Sequence, residues 1–364
     1  MESVSSSMEL AVMVKECKVC NSTKNIQTGY GTLLCNACKT MYRRATDPDP
    51  AKVPKNLNVC KQTVDHAMKC AKCRVEKCFA VGLNRFRGCD DLTNLVKNLM
   101  KRNEIRSNHF LNSQPREDLS LEQIMEIGTI RFTPRTVNPE DLNSHQWANL
   151  QMVTTIEFMK TFDVMRYLEE KEITTFIKRT YFNLAIFFMA MSSYFAKRAA
   201  MMFPGNKDVF PEECAPIYAE GSKHQKLFED IRCNLIFKFA ELKITKEELL
   251  ILSVIIACGL IDPEQTSEQA FVQSSDSEVS PKPFSDKATT LILQYRKLHI
   301  DRLQELCLLK DRNGPGRFYA LISVMETVTY TMAKLNDTLI LFELYKTSKN
   351  LSKLVKDYFE PSDY

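Results

Sequence analysis

The sequence lacks the features that mark secreted and membrane-spanning proteins. No apolar run reaches the ~20 residues that a membrane-spanning helix needs. The segment that comes nearest, "YFNLAIFFMAMSSYFA" from Tyr181, is short and contains Asn183. The N-terminus has Glu2 and Glu9 where a secretory signal has a basic and then an apolar stretch. We therefore expect no membrane association and a reducing compartment, where disulfides are rare.

Catalytic patterns are equally scarce. The 364 residues include only 5 histidines, which are dispersed along the chain. No nucleophile stands in a recognisable pair with a base, and no glycine-rich phosphate loop is present. Internal repeats are absent, and strand-like alternation of apolar and polar residues is rare. These absences argue against an enzyme and against a sheet-based fold.

Charge and cysteine are distributed unevenly along the chain. Residues 15–88 contain 15 Lys and Arg against 5 Asp and Glu, whereas the remainder contains 34 against 40. Nine of the 13 cysteines precede residue 90, mostly in x-x-spaced pairs. This split predicts a basic module that binds a polyanion, joined to an ordinary globular body.

The basic module contains cysteines with the spacing of a tetrahedral zinc site. Two Cys-x-x-Cys pairs stand 14 residues apart and comprise Cys17, Cys20, Cys35 and Cys38. Each pair places two sulfurs on one side of a metal ion. Bound zinc can supply roughly 10 kcal/mol or more of folding free energy, which would replace the apolar core that this region lacks. Buried free thiols or a redox pair are the alternative.

A basic, aromatic segment, "KTMYRRATD", follows the second pair. In a helix, Lys39, Arg43 and Arg44 lie on one side, with Met41 and Tyr42 on the other. A helix that starts at a metal site and is rich in Lys and Arg fits the major groove of DNA. A solvated charged face with no partner is the alternative.

A second group of cysteines follows the basic helix. Cys60, Cys70 and Cys73 supply three ligands of a second zinc site, and another basic helix begins near Arg74. The fourth ligand of this site is not evident from the cysteines alone.

Together these motifs resemble the DNA-binding domain of the nuclear hormone receptors, in particular the divergent receptors expanded in nematodes. Residues 17–83 follow the order Cys-x2-Cys, Cys-x2-Cys-Lys-x-x-Tyr-Arg-Arg and Cys-x2-Cys-Arg-x-x-Lys-Cys-Phe-x-Val-Gly-Leu. The resemblance implies two zinc ions and a recognition helix from Cys35 to about Thr46 in the major groove. It places Asn36 and Lys39 at base edges. It assigns phosphate contacts to Arg43, Arg44 and Arg74.

One departure from the family pattern affects the second zinc site. Pro54 stands where the family has a cysteine, six positions before Cys60, and proline cannot ligate a metal. His66 can replace it, because Cys60-x5-His66-x3-Cys70 is a workable spacing. Otherwise His66 is a surface histidine and the site is incomplete. Since this finger holds the family's dimer contact, homodimers and heterodimers on DNA are both left open.

The domain organisation follows from the change in composition. We expect a flexible tail over 1–14, the zinc-finger domain over 15–88, a hinge with some helix at its start over 89–145, and a helical body over 146–364. The body contains "EELLILSVIIACGLI", which is apolar nearly all round, as in a helix buried between layers. Its segments "EFMKTFDVMRYLEEKEITTFIKRTYFNLAIFF" and "NGPGRFYALISVM" resemble the family's ligand-binding domain, which implies an all-α helical sandwich.

The C-terminal "LVKDYF" resembles the family's activation helix, predicted here over 351–360. Its apolar residues form one face of a helix. Asp357 and Lys160 would cap the two ends of a short partner helix, although Asp is shorter than the usual Glu. An ordinary amphipathic helix is the alternative. The predicted coregulator-binding residues are Lys160, Leu354, Val355, Asp357, Tyr358 and Phe359.

The sequence thus predicts a zinc-dependent, sequence-specific DNA-binding transcription factor of the nuclear receptor type. We expect it in the nucleus, regulating RNA polymerase II transcription with coregulators. A pocket for a small hydrophobic ligand would be lined by Met and Phe from "EFMKTFDVM" and "FFMAMSSYF", though such residues are also ordinary core. The rival hypothesis is an adaptor that has lost DNA binding and titrates receptors or coregulators through its helical domain. A zinc module for single-stranded RNA is a third.

Overall fold

The chain forms two units in the computed structural model, Met1–Asp90 and Asp91–Tyr364. The described residues are 15–30, 32–46, 70–81, 83, 92–259, 283–310, 313–345 and 351–359. The predicted tail over 1–14 lies outside them, as do Pro54, Cys60 and His66. The side chain of Phe359 is also outside the described part of the chain.

The N-terminal unit contains a short hairpin and two helices. Strands β1 (Ile26–Gly29) and β2 (Thr32–Cys35) pair antiparallel. Helix α1 (Asn36–Ala45) follows β2 directly, and α2 (Ala71–Ala80) packs against α1. A helix therefore lies where the recognition helix is predicted, and it begins at the second cysteine pair, directly after the hairpin.

Tyr42 is at the centre of the small core of this unit. Its side chain is fully buried, and its hydroxyl donates to the carbonyl oxygen of Leu83 at 2.9 Å. Its ring makes edge-to-face contacts with Tyr30 and Phe79. The same cluster also contains the buried Val19, Leu34 and Cys78. A core of this size holds a domain only with an additional staple, such as a metal ion.

The described helices of the second unit are α3 (Leu92–Asn112), α4 (Leu121–Ile127), α5 (Ser144–Lys160), α6 (Glu170–Phe195), α7 (Ala215–Tyr218), α8 (Gln225–Leu242), α9 (Lys246–Gly259), α10 (Asp286–Lys310), α11 (Gly314–Ile322), α12 (Val324–Leu344) and α13 (Lys353–Phe359). Two short antiparallel pairs join β3 (Ser113–Pro115) to β4 (Phe132–Pro134) and β5 (Met202–Phe203) to β6 (Lys207–Asp208). No helix in the described part of the chain is long and apolar enough to cross a membrane.

Helices α6 and α9 form the middle of a helical sandwich. Helix α6 packs on α5, α8 and α9, while α9 also contacts α3 and α10. Helix α12 covers α8. Every residue of α9 from Glu248 to Cys258 is buried. This confirms the prediction from its all-round apolar sequence, because a helix enclosed on every side has no polar face.

A buried ion pair joins α9 to α11. The guanidinium of Arg317 donates from Nε to Glu248 Oε1 at 3.0 Å and from Nη2 to Glu248 Oε2 at 2.7 Å. The carboxylate of Glu248 is almost completely buried, and Arg317 is its charged partner, while the N–H of Thr245 also donates to Glu248 Oε2 at 2.8 Å. The arginine of "NGPGRFYALISVM" therefore fixes the start of α11 to the middle layer.

The structure differs from the prediction of a hinge over residues 89–145. Helix α3 occupies much of this stretch and packs its buried Leu95 and Leu99 with the body, against α5 and α9. Its polar sequence conceals this burial. Arg106 is buried as well, and its guanidinium lies 4.1 Å from the centre of the Phe188 ring. The helical body therefore begins at α3 and not at residue 146.

Candidate metal centre and helix-binding groove

Four cysteine sulfurs meet beside the hairpin of the N-terminal unit. The Sγ atoms of Cys17, Cys20, Cys35 and Cys38 all lie within 4.8 Å of one another. Those of Cys20 and Cys35 are 3.5 Å apart. A tetrahedral zinc ion with Zn–S bonds of about 2.3 Å holds its sulfurs about 3.8 Å apart. The four cysteines are therefore positioned to bind a zinc ion, and since all four ligands come from the protein, its role is structural.

The local backbone explains how the sulfurs converge. The first pair sits on a tight turn in which the N–H of Asn21 donates to the carbonyl oxygen of Cys17 at 2.7 Å. Asn21 has φ of +54°, a left-handed conformation that asparagine tolerates. In the second pair, Cys35 is the N-cap of α1 and its Sγ accepts from the N–H of Cys38 at 3.5 Å. The metal site and the start of α1 are thus the same residues.

The thiols of this site differ in how readily they ionise. Burial acts to raise the pKa of the Cys17 thiol, but hydrogen bonds from the backbone of Cys35, Cys20 and Val19 outweigh burial and lower the pKa to about 6. Burial raises the pKa of the Cys38 thiol well above its ordinary value. A bound cation therefore has to stabilise the thiolate form, and metal binding releases protons.

Helix α1 turns its basic face to solvent. Cys38 and Tyr42 are buried on the inner face. The predicted DNA-contacting residues on the exposed face are Asn36, Arg43 and Arg44. Lys39 is half-buried, and its methylene chain packs over Gly29. A Cβ placed on Gly29 would lie 3.5 Å from Cδ of Lys39. Four of the predicted residues thus lie on one helix, away from the core.

The fifth predicted DNA-contacting residue, Arg74, has a different environment. It is half-buried on α2, next to the zinc-binding cysteines. Burial acts to lower the pKa of its guanidinium, but the interactions with Cys38 and Cys20 together outweigh burial and raise it. Arg74 is therefore placed to stabilise the negative charge of the metal site, as partners around metal ligands commonly do.

The second zinc site is described only in part. Cys70 is the N-cap of α2 and Cys73 lies in its first turn, both half-buried. Cys60 and His66 lie outside the described residues. Among the residues that the structure does describe, the four-cysteine cluster is the only group of three or more side chains that could hold a metal ion. The second ion and its fourth ligand stay predictions.

In the second unit, Asp357 and Lys160, the two residues predicted to cap a partner helix, contact the two ends of helix α4. We call them the clamp residues. Asp357 Oδ2 accepts from the N–H of Leu121, the first residue of α4, at 2.6 Å. Lys160 Nζ donates to the carbonyl oxygens of Gly128 at 2.7 Å and Ile124 at 3.2 Å. These backbone groups have no partner within a helix, and their partial charges match those of the side chains.

Helix α13 is seated through the face that the sequence predicts as apolar. Leu354 is fully buried, and its carbonyl oxygen accepts from the hydroxyl of Tyr181 at 2.6 Å. The ring of Tyr358 stacks on Phe182 with centroids 4.3 Å apart, and its hydroxyl donates to Asn183 Oδ1 at 3.2 Å. Sequence reasoning gave no function to Asn183, although a lone amide in an apolar run signals a buried partner.

An apolar cavity of about 90 Å³ lies beside α13. Its walls come from α5, α6, α8 and α12, and from the C-terminal segment, where Leu351 and Ser352 precede α13 and Val355 lies within it. Met189 lines it as predicted, but the predicted contribution of residues 157–165 is wrong. That segment lies at the far end of α5, and its Phe158 packs instead against Phe188 in the core.

Gln151 lines the same cavity, and sequence reasoning missed it. Its side chain is 1% exposed, and neither Oε1 nor Nε2 has a hydrogen-bond partner among the residues that the structure describes. An amide buried without a partner is costly, which makes it a candidate contact for a bound molecule. No local sequence signal marks Gln151, because its importance depends on the helices that surround it.

Comparison with known proteins yields two family matches. A model described as the ligand-binding domain of nuclear hormone receptor matches residues 134–345, and one described as a double treble clef zinc finger, C4 type, matches residues 15–85. Nuclear hormone receptor family member nhr-9 of Caenorhabditis elegans is 28% identical over 345 residues, covering 93% of this chain and 95% of the relative. Family member nhr-27 of the same organism is 27% identical over 362 residues, covering 96% and 94%.

Proposed function

The chain belongs to the nuclear hormone receptor family and is a transcription factor of that type, and we propose that α1 reads its DNA site while α13 recruits coregulators. The observation that carries the first part is the joining of α1 to the tetrathiolate site through Cys35 and Cys38. The metal fixes the start of the helix, so its basic face meets DNA as a rigid surface. Family members are typically nuclear, and we propose the same location for this chain.

The residues of α1 divide into two roles. The amide of Asn36 can bond adenine N6 and N7, and Lys39 can donate to guanine O6 and N7. Arg43 and Arg44 are exposed near the other end of the helix and would bind phosphates, which position the protein without reading sequence. Arg74 would support the metal site and also reach a phosphate. Dimerisation on DNA stays a prediction.

Selection from a random pool of DNA duplexes with the full-length chain tests this function. We expect a defined motif to be enriched and binding to weaken steeply with salt, because each phosphate contact releases counterions. Zinc content and a gel shift separate the factor from the adaptor. Two zinc ions and sequence-dependent binding support the factor, whereas one ion and no DNA binding support the adaptor. Preference for single strands would support the RNA hypothesis.

A small ligand is a second proposal, supported by Gln151. The cavity is apolar apart from a few groups such as this unpartnered amide, so it suits a small hydrophobic molecule with one hydrogen-bonding group. A medium-chain aliphatic alcohol is a suitable probe. We expect it to raise the melting temperature of the wild-type chain more than that of a Gln151→Leu variant. An equal rise in both variants would remove Gln151 from the proposal.

A further inference from the structure

We propose that α4 is a built-in occupant of the coregulator groove, and that a partner helix binds only after α4 has left. By the groove we mean the surface of α5, α6 and α13 between Lys160 and Asp357. The inference rests on the proposed function of α13 as a coregulator-binding helix. It goes beyond that function, because it assigns the free chain a closed state held by its own residues.

The first argument is the pair of contacts at the ends of α4. Asp357 binds the first N–H of the helix, and Lys160 binds the carbonyl oxygens of Ile124 and Gly128 at its end. Glu157 accepts from the same Nζ at 2.7 Å and holds the Lys160 side chain in place. Both charges expected to grip a partner are therefore used on one two-turn helix of this chain.

The second argument is the pattern of buried side chains on α4. Leu121 is 4% exposed and Ile124 is fully buried, with Met125 partly buried beside them. Ile127 is 55% exposed, and the polar residues between the anchors also face solvent. Helix α4 contacts both α6 and α13. Anchors at i, i+3 and i+4 are the way a short amphipathic helix docks into an apolar groove.

The third argument is that α4 is built to be a complete short helix. Ser120 and Gln123 form a capping box at its start. Gly128 ends it with φ of +75°, a conformation that favours glycine. A segment of this length that caps itself can dock or leave as one unit, without unravelling α3 or α5.

A further hydrogen bond links the segment just before α4 to the start of α13. Asp118 Oδ2 accepts from the N–H of Lys353 at 3.3 Å. Asp118 thus binds one end of α13, while Asp357 near the other end binds α4. The two helices hold each other in place, so α13 stays seated while no partner is bound.

Occupancy by a tethered segment lowers the affinity for an external helix. Short tethers give effective concentrations on the order of 1 mM. If α4 itself binds the groove with an intrinsic dissociation constant on the order of 100 µM, the groove is about ten times more often occupied than open, and any external helix binds roughly tenfold more weakly than to the open groove. The groove is blocked by competition and not by an absence of binding residues.

The test uses the full-length chain and a fluorescent synthetic peptide with the sequence of residues 117–129, "EDLSLEQIMEIGT". Ile124→Asp places a charge at the buried anchor and should release α4. Ile127→Asp makes the same change on the exposed side of the same helix. By fluorescence anisotropy, we expect the peptide to bind Ile124→Asp about tenfold more tightly than the wild type or Ile127→Asp. Equal affinity for all three proteins would overturn the proposal.

A second variant guards against misfolding of Ile124→Asp. Residues 118–128 are replaced by a Gly/Ser linker of equal length, which removes the occupant without burying a charge. This variant should also bind the peptide more tightly than the wild type, and wild-type affinity in a folded linker variant would contradict self-occupancy.

Changes to the clamp separate this inference from the proposed function. Lys160→Ala and Asp357→Asn, each combined with the linker replacement, should weaken peptide binding. If they do so while the linker alone gives no gain, the groove binds helices and only the self-occupancy is wrong. If the linker variant binds no peptide, the proposed coregulator groove itself fails, and the inference fails with it.

Discussion

Replacing Asn36 and Arg43 separately should divide sequence reading from phosphate binding on α1. The two residues lie seven positions apart on a 10-residue helix. At 1.5 Å per residue their Cα atoms are about 10 Å apart along the axis, so each meets a different part of the DNA. Both side chains are exposed and outside the core, so alanine at either position should leave the zinc site intact.

The expected magnitudes follow from the two kinds of contact. A bidentate contact of the Asn36 amide with adenine is worth about 1–3 kcal/mol of discrimination, or about 5- to 150-fold at one base pair. Asn36→Ala should lose that preference and leave the salt dependence nearly unchanged. Arg43→Ala should weaken all sequences equally and reduce the slope of log K against log salt by about 0.9.

Fluorescence anisotropy on the selected duplex, on its single-base variants and over a salt series measures both quantities. Asn98→Ala is a matched control, because Asn98 is an exposed helical asparagine of the second unit. It should change neither base preference nor salt slope. If Asn36→Ala reduces the salt slope and keeps full base preference, the assignment of Asn36 to a base edge is refuted.

Three more predictions concern the zinc ion and the fold. Removing zinc with a chelator should abolish DNA binding and speed trypsin cleavage after Arg43, because α1 starts at the metal site and unfolds without the ion. Unchanged cleavage and binding would contradict this. Arg317→Ala leaves the buried Glu248 without its charged partner and should lower the free energy of unfolding by about 3–5 kcal/mol. Lys238→Ala, which breaks an ion pair with the largely exposed Glu241, should change it little. Burial lowers the pKa of His299 to about 4, below its unfolded value, so the unfolded state binds more protons between about pH 6.5 and 4 and stability falls as the pH falls through that window. Chemical denaturation should show that the free energy of unfolding falls less steeply with pH over that window for His299→Gln than for the wild type. An unchanged slope would exclude His299 as the source of the pH dependence.

Local patterns predicted the metal site and the buried helix, because each depends on residues that are near in sequence. The spacing of Cys17 to Cys38 and the apolar run of α9 are of this kind. Helix α3 was assigned to a hinge because its burial includes Arg106, whose charge is accommodated by the ring of Phe188. The pattern of charged and apolar residues along α3 does not reveal that Arg106 packs against an aromatic ring far away in the sequence.

The docking of α4 was beyond sequence reasoning for a different reason. Its segment is polar, with only a few apolar anchors, and its contact with Asp357 joins residues 236 positions apart. The clamp residues themselves were predicted, but the helix that they hold was not. The cavity contact Gln151 was missed similarly, since its environment is assembled from several helices.

Helix α13 borders two sites at once. Val355 forms part of the cavity wall, and Asp357, two residues further on, binds α4. A molecule in the cavity that stabilises the seated helix therefore changes the affinity of whatever Asp357 grips, and thermodynamic linkage makes the effect equal in both directions. Titrating the groove with a helical peptide, with and without a molecule in the cavity, would thus measure the coupling between the two sites.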